Sequence, residues 1–553
     1  MFDFNVVLSQ IGFTQRVLSV RLARHAAAAG VGLMAVLVAG VAEASTSVVT
    51  TTLDTGPGSL REAINTANAS GPTAITFGID GVITLTSALP VITNTVSIDG
   101  SGHAITVSGA NQFQVLFVNP NSALRIQSIS IANGNGSPGG GIFVSANATL
   151  TVTNSTLVSN TASTGGAIFN AGTLTVISST LVRNTAYLGG GIWNNDTMTM
   201  ISSTLVSNSS TSDGGGINNY ATLTVTHSTL LSNTADYGGG ISNANSLAAT
   251  ISSSTFLSNT ASSYGGGIEN EGTLTVTNST LVSNASSNGG GIMNFGTLTV
   301  STTNVMSNTA TVDGGGIFNY NNQLLTVNGS TLMNNTAQVG GGGIENRGTA
   351  TVNSSTLISN MSAINGGGIY NDFTSMMNLT NSTIRSNTAY TGGGISNAGT
   401  LYLINSTLVY NTASTGGGGG GLSSAWTLSM TNTIIANSMQ GGDCRTFYAV
   451  TGSYNLIKDS GYSACALTNG ANGNIVGSDP LLGPLQLNGN SGLFGTLSMA
   501  PLPGSPAINA GTNAAPACPA FDQRGFRRPL GGKCDIGAVE WSPWATFLPT
   551  LQR

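Results

Sequence analysis

Apolar and polar residues alternate in short bursts along this chain, and the bursts come back at a regular interval. Thr173 to Val176 reads polar, apolar, polar, apolar, and Ser179 to Asn184 follows with Leu181 as its apolar centre. A Gly-Gly-Gly-Ile type of box then opens the next unit. Its apolar residue stands at Ile142, Ile168, Ile192, Ile217, Ile241, Ile268, Ile292, Ile317, Ile344, Ile369 and Ile395, with Leu422 as the last variant, spaced 24 to 27 residues apart. An asparagine follows two positions after most of these, as at Asn170, Asn194 and Asn270. Period-two pieces bounded by Gly, Ser or Asn predict strands separated by turns.

Three such strands make one coil, and about twelve tandem coils run from Gly139 to Asn437. No coil can bury its inner face alone, so neighbours must stack. Equivalent strands then pair in parallel at about 4.8 Å per coil, giving a rod on the order of 58 Å. The expected fold is all-β, a right-handed parallel β-helix with three short strands per coil of ~25 residues. The alternation points Ile168, Asn170, Leu174, Val176 and Leu181 inward, and Phe169, Thr173 and Thr175 outward. A second asparagine series, Asn160, Asn184, Asn208 and onward, predicts a stacked amide ladder at a bend that uses left-handed backbone. The glycines suit another bend, where a Cβ would collide or φ is positive.

Upstream, Leu124, Ile126 and Ile131 match the offsets of Leu150, Val152 and Leu157, so the coils extend back to Ile75. Ser59-Leu60-Arg61-Glu62 is a capping box that predicts a helix from Leu60 to about Ala69, covering the open end of the rod. The expected organisation is an export signal over 1–44, a cap over 45–74, the β-helix over 75–440 and a C-terminal cap over 441–553.

Composition narrows the function classes. Only 6% of the 553 residues are charged and the net charge is −5, while 40% are hydrophobic, which separates the chain from disordered sequences. Glycine, at 76 residues, shows no three-residue period, so the chain is not collagen-like. Lys458 and Lys533 are its two lysines, and no basic stripe exists for nucleic acid. Arg16, Arg21 and Arg24 precede an apolar run, Ala26 to Val41, and Ala42-Glu43-Ala44 follows, the pattern of a cleaved export signal. No other segment is long and apolar enough to cross a bilayer. Cys444, Cys465, Cys518 and Cys534 form two close pairs, expected to be disulfides in an oxidising compartment. Metal binding is the rival for these cysteines, and no C-x-x-C spacing supports it.

Gly58-Ser59-Leu60-Arg61-Glu62-Ala63-Ile64 resembles the CSLREA motif of secreted bacterial β-helix proteins, with Gly58 where that motif has Cys. The Gly-Gly-Gly-Ile-x-Asn boxes resemble the repeats of polymorphic outer membrane proteins. The strings Pro503 to Gly511, Asp522-Gln523-Arg524-Gly525 and Cys534 to Glu540 resemble the end of the choice-of-anchor Q family. Together these resemblances imply a secreted or surface-attached β-helix protein and carry no catalytic residues to transfer.

Candidate chemistry is sparse. Glu269 and Glu271 share a strand, about 7 Å apart if both point outward, a separation an inverting carboxylate pair permits. Two solvated charges on a polar face is the plainer interpretation. Glu345 sits beside Arg347 three coils along, and Asp213 and Asp313 lie near the glycine boxes. Phe143, Phe169 and Trp193 occupy one outward position in three successive coils, an exposed stacked stripe suited to contact with sugar rings. Thr-x-Thr pairs such as Thr173/Thr175 and Thr222/Thr224 form a ladder of the kind found on ice-binding faces, interrupted by Leu324, Met376, Asn378 and Tyr402. The reading that follows is an extracellular or cell-surface rod for adhesion or display, monomeric, without cofactor or metal, in contact with a glycan or a cell-surface partner. The alternatives are a polysaccharide lyase or glycoside hydrolase using Glu269 and Glu271, and an ice-binding protein.

Overall fold

A computed structural model describes residues 45–244, 247–414, 418–487 and 496–542; the expected export signal over 1–44 lies outside them. The chain is a parallel β-helix. One coil runs Ile168–Asn170, Thr173–Ile177, Thr180–Val182 and then Thr185–Ala186. The first three are the expected strands. The fourth is a two-residue ladder, paired in parallel as Thr161 with Thr185 and Ser209 with Thr185, so a coil has four strands rather than three. We call the first three the box, threonine and Ser-Thr-Leu sheets. Each stacks in register: Ile168 on Ile192, Leu174 on Met198, Leu181 on Leu205. Ile168, Leu174, Val176 and Leu181 are fully buried, and their rows form one continuous core from Val49 to Cys465.

Inside that core runs the amide ladder. The Asn208 side-chain oxygen accepts from the Asn184 backbone N–H at 3.0 Å and from the Asn184 amide at 2.9 Å. Its amide nitrogen donates to the Leu181 carbonyl and to Asn233 Oδ1, both at 3.0 Å. Every polar valence of a fully buried side chain is thereby met, which is what makes the burial tolerable. The left-handed backbone falls one residue earlier than the pattern suggested, at Arg183, Ser207 and Ser232 rather than at the ladder asparagines that follow them. The asparagine keeps ordinary backbone geometry because its side chain must aim along the rod axis. The glycine box makes the opposite bend: Gly265 has φ +65°, and a Cβ on Gly266 would lie 2.5 Å from the Ala285 backbone nitrogen.

At the N-terminal end, Ser45–Val49 pairs in parallel with Thr73–Phe77, so the first rung precedes the helix and starts before Ile75. The helix α1, Leu60–Ser70, follows from its capping residues: Ser59 Oγ accepts from Glu62 N, and the Gly58 N–H donates to Glu62 Oε2 at 2.6 Å. Leu60, Ala63, Ile64 and Ala67 face the core, and Arg61 pairs with Asp54 at 2.7 Å.

The C-terminal region departs from a simple end cap. Coils continue past residue 440, to Ile475–Val476 stacked on Leu456–Ile457. The remaining chain then lies against the outer side of the Ser-Thr-Leu sheet. Thr383 Oγ1 donates to Gln523 Oε1 at 2.6 Å, Asn381 Nδ2 to the Phe521 carbonyl at 2.7 Å, and Ala538 N to Thr407 Oγ1 at 3.0 Å. Outward threonines that are half-buried in earlier coils, such as Thr180 and Thr204, are here buried at Thr356, Thr383 and Thr407. A buried ionic knot holds this segment, with Arg528 paired to Glu540 at 2.9 Å and Arg524 to Asp522 at 2.7 Å. Disulfides link Cys444 to Cys465 and Cys518 to Cys534, with Cα separations of 5.0 and 6.1 Å. No helix among the described residues is long and apolar enough to cross a membrane.

Removing one ladder asparagine strips partners from both neighbouring coils at once. Asn208→Ala is expected to cost roughly 2–4 kcal/mol, since each buried polar group left unpaired costs about 1–3 kcal/mol. Thr222→Ala, on the exposed face, should stay within about 0.5 kcal/mol. Denaturant midpoints of the two variants check the contrast.

Candidate functional site

The box strands are only three residues long. Their first and third residues point into the core, so a single row of middle residues faces out. In register this row runs Phe117, Phe143, Phe169, Trp193, Asn218, Ser242, Glu269, Met293, Phe318, Glu345, Tyr370. The chain turns sharply on both sides of so short a strand, and the turn residues stand above the row as walls. One wall is built from residues just before the glycine box, the other from residues just after the Ile-x-Asn triad. The row is therefore the floor of a groove, and Asn218, Ser242, Glu269, Met293, Phe318 and Glu345 are all buried.

Floor and walls both change in size along the groove. Where the walls are small, at Thr164 and Ala171, the floor carries large rings. Phe117, Phe143, Phe169 and Trp193 stack face to face with centroids 4.6, 4.9 and 4.4 Å apart. The aromatic stripe is thus real and one ring longer than the sequence suggested, but half-buried rather than exposed. Strand spacing of about 4.8 Å matches ring stacking, so each ring's faces are taken by its neighbours and its edge is what solvent meets.

Where the floor is small, the walls carry the rings, and a pocket of about 540 Å³ opens. Ser242 and Glu269 form its floor. Asp213, Tyr237 and Tyr264 form one wall, and Tyr220, Ala244, Glu271 and Phe295 the other. Tyr264 meets Tyr237 at 5.6 Å and Phe295 edge-on at 5.3 Å, which joins the two walls at one end. Glu269 is 4% exposed, so it is not the solvated surface charge that the sequence favoured. Ser242 Oγ donates to its Oε2 at 2.8 Å. Burial, opposed by this bond and reinforced by the charges of Glu271 and Asp213, raises the Glu269 carboxyl to about 8. Burial and the Asp213 charge raise Glu271, and burial together with the Asp236 charge raises Asp213. Glu271 lies just past the strand Ile268–Asn270, at the foot of the wall, so the pair does not lie along one strand.

Further along, the groove is closed by its own cation. Arg347 reaches Asp313 on the opposite wall at 2.7 Å, Glu345 on the floor at 3.2 Å and Asp372 on its own wall at 3.1 Å. Its guanidinium lies 4.8 Å from the Phe318 ring centroid. Burial and the Asp313 charge hold the fully buried Glu345 well above the usual carboxylate range, more than Arg347 lowers it.

Tyr220, Tyr237, Tyr264 and Phe295 escape a sequence reading that tracks strands. A positional signal did exist: Asp213, Tyr237 and Tyr264 each stand four residues before a box isoleucine, and Tyr220, Glu271 and Phe295 each stand three after one. On the neighbouring face, the threonine ladder is in register over nine rungs from Thr151 to Thr351, with Leu324 and Met376 protruding beside it. Among the described residues, no cluster of His, Cys, Asp and Glu is arranged to hold a metal ion.

No family model and no curated protein matches the chain. Among solved structures it is similar to the PL6 family alginate lyase AlyGC, at 12% identity and a TM-score of 0.30, over 90% of this chain and 59% of that one. The assignment as a parallel β-helix protein rests on the strand register of this chain itself.

A raised carboxyl sets the direction of a pH effect. The folded protein keeps the Glu269 proton up to about pH 8, whereas the unfolded chain releases it near 4.5. Stability therefore falls as pH rises between those values, by at most about 1.4 kcal/mol per pH unit for one proton. Glu269→Gln should flatten the decline in melting temperature between pH 5 and 8. Asp213 and Glu271 act in the same sense and leave a residual slope.

Proposed function

We propose that this chain is an exported β-helix rod that displays a glycan-binding pocket on one flank, for adhesion at or outside the cell surface. One observation carries this reading: the 540 Å³ pocket, walled by Tyr220, Tyr237, Tyr264 and Phe295, with the polar groups of Ser242, Glu269, Glu271 and Asp213 converging on it. Its volume falls in the range of small-molecule sites, and rings beside a few placed polar groups are how sugars are held. Two disulfides support an oxidising, extracytoplasmic setting. The resemblance of the termini to CSLREA and choice-of-anchor Q proteins points the same way. The rest of the surface, mostly threonine and serine, suits a stiff spacer.

A second reading is favoured by the Glu269 carboxyl at about 8. It holds a proton at neutral pH, as the general acid of a glycoside hydrolase must, with Asp213 or Glu271 as the companion carboxylate. A glycan array and a reducing-end release assay on the full chain separate the two. Binding without sugar release, weakened roughly tenfold or more by Tyr264→Ala, is the expected result, since losing a buried ring costs about 1.5–3 kcal/mol. Sugar release that disappears in Glu269→Gln would replace adhesion with cleavage.

A further inference from the structure

We infer that the pocket recognises a protonated amine, and that its glycan is an amino-sugar oligosaccharide with the amine free rather than acylated. This rests on the glycan-pocket reading and adds the charge of the ligand to it.

Three carboxylates line the pocket and no basic side chain does. Among the described residues no cation stabilises any of the three: burial is the leading cause that raises each, with repulsion from Asp236 at Asp213, from Glu271 and Asp213 at Glu269, and from Asp213 at Glu271. Glu269 is more than nine-tenths buried and borders the cavity. Ser242 satisfies one of its oxygens, and the other has no donor among the described residues. A buried carboxylate without a balancing cation is costly, and a cation entering from the cavity lowers that cost.

The molecule also contains a filled version of the same arrangement. At Arg347 a guanidinium sits between a pre-box aspartate, Asp313, and a floor glutamate, Glu345, over the Phe318 ring. The pocket has the same classes of position, Asp213 before a box and Glu269 on the floor, with aromatic rings beside them, and lacks the cation. Asp313 and Glu345 are one coil apart, whereas Asp213 and Glu269 are two coils apart, with Ser242 between them. That extra rung, about 4.8 Å, makes room for a ring that bears the amine. Tyrosine faces attract such a cation further. Without a metal-type cluster among the described residues, an organic cation fits this chemistry better than an inorganic one. Polyuronates and other anionic chains would be repelled.

Titration calorimetry of the full chain with a short glucosamine oligomer and its N-acetylated counterpart tests this. The free-amine oligomer should bind at least roughly tenfold tighter, in line with a desolvated charge pair. Glu269→Gln and Asp213→Asn should each remove most of that advantage, read as the ratio of the two affinities in the same variant. In the unaltered protein at about pH 6, where a free amine already carries its proton, binding should release protons as Glu269 ionises, so the measured heat should depend on the buffer. Equal affinity for the two oligomers, or binding with no proton release, overturns the inference and leaves the glycan pocket standing. Failure of both oligomers and of every neutral glycan to bind overturns both. Binding of choline without binding of the amino sugar overturns the assignment to a glycan.

Discussion

In-register stacking is the constraint on which the rest of this structure depends. Each coil leaves its inner face and its strand edges open, and only another coil in the same register closes them. Every residue then has its equivalent about 4.8 Å above and below it. Apolar side chains gain from this, and amides gain more, since each asparagine in the Asn160 to Asn411 series is both donor and acceptor to its neighbours. Like charges lose: at that distance and an effective dielectric near 20, two of them repel by about 3–4 kcal/mol. A chain with 6% charged residues is what such a lattice tolerates.

The floor of the box sheet is where the lattice permits irregularity, and the proposed binding function is placed there. Neighbouring rungs there are Trp193, Asn218, Ser242, Glu269, Met293 and Phe318, six different residues in succession. The walls vary too: rings stand beside the small floor at Ser242, whereas at Phe318 floor and wall both carry rings, with Tyr320 at 5.9 Å. Two acidic centres result. Arg347 neutralises one and closes the groove there, while the other opens to solvent with its carboxyls held partly neutral by burial. The first is part of the scaffold, and the second is the pocket proposed to take a ligand.

The C-terminal segment answers a different demand. A rod of threonine-faced coils offers hydroxyls in rows, and this segment uses them as docking points through Gln523 and Ala538. Its own fold is held by Arg528, Glu540, Arg524 and Asp522, residues within or beside the strings that resemble choice-of-anchor Q proteins. Those strings thus have a structural role, whatever anchor they precede in other chains.

Periodicity alone determined the coil, its three main strands, the inward rows of Ile168, Leu174, Val176 and Leu181, and the amide ladder, because three period-two pieces per repeat can bury their inner faces only by stacking on the next repeat. Spacing also sufficed to pair the cysteines and to place the helix at Leu60. Tertiary structure decided everything that depends on how far a turn residue stands above a three-residue strand. Glu269 looks like a surface charge in sequence and is buried in fact, since Tyr237 and Tyr264, at the ends of two paired strands, and Tyr220, from a turn, rise around it. The aromatic stripe looks like an open platform, and stacking at the strand spacing turns its faces inward on one another. A pocket assembled from four stacked rungs, with one residue of chemistry here and two there, has no local signature; it exists only once the coils are in register.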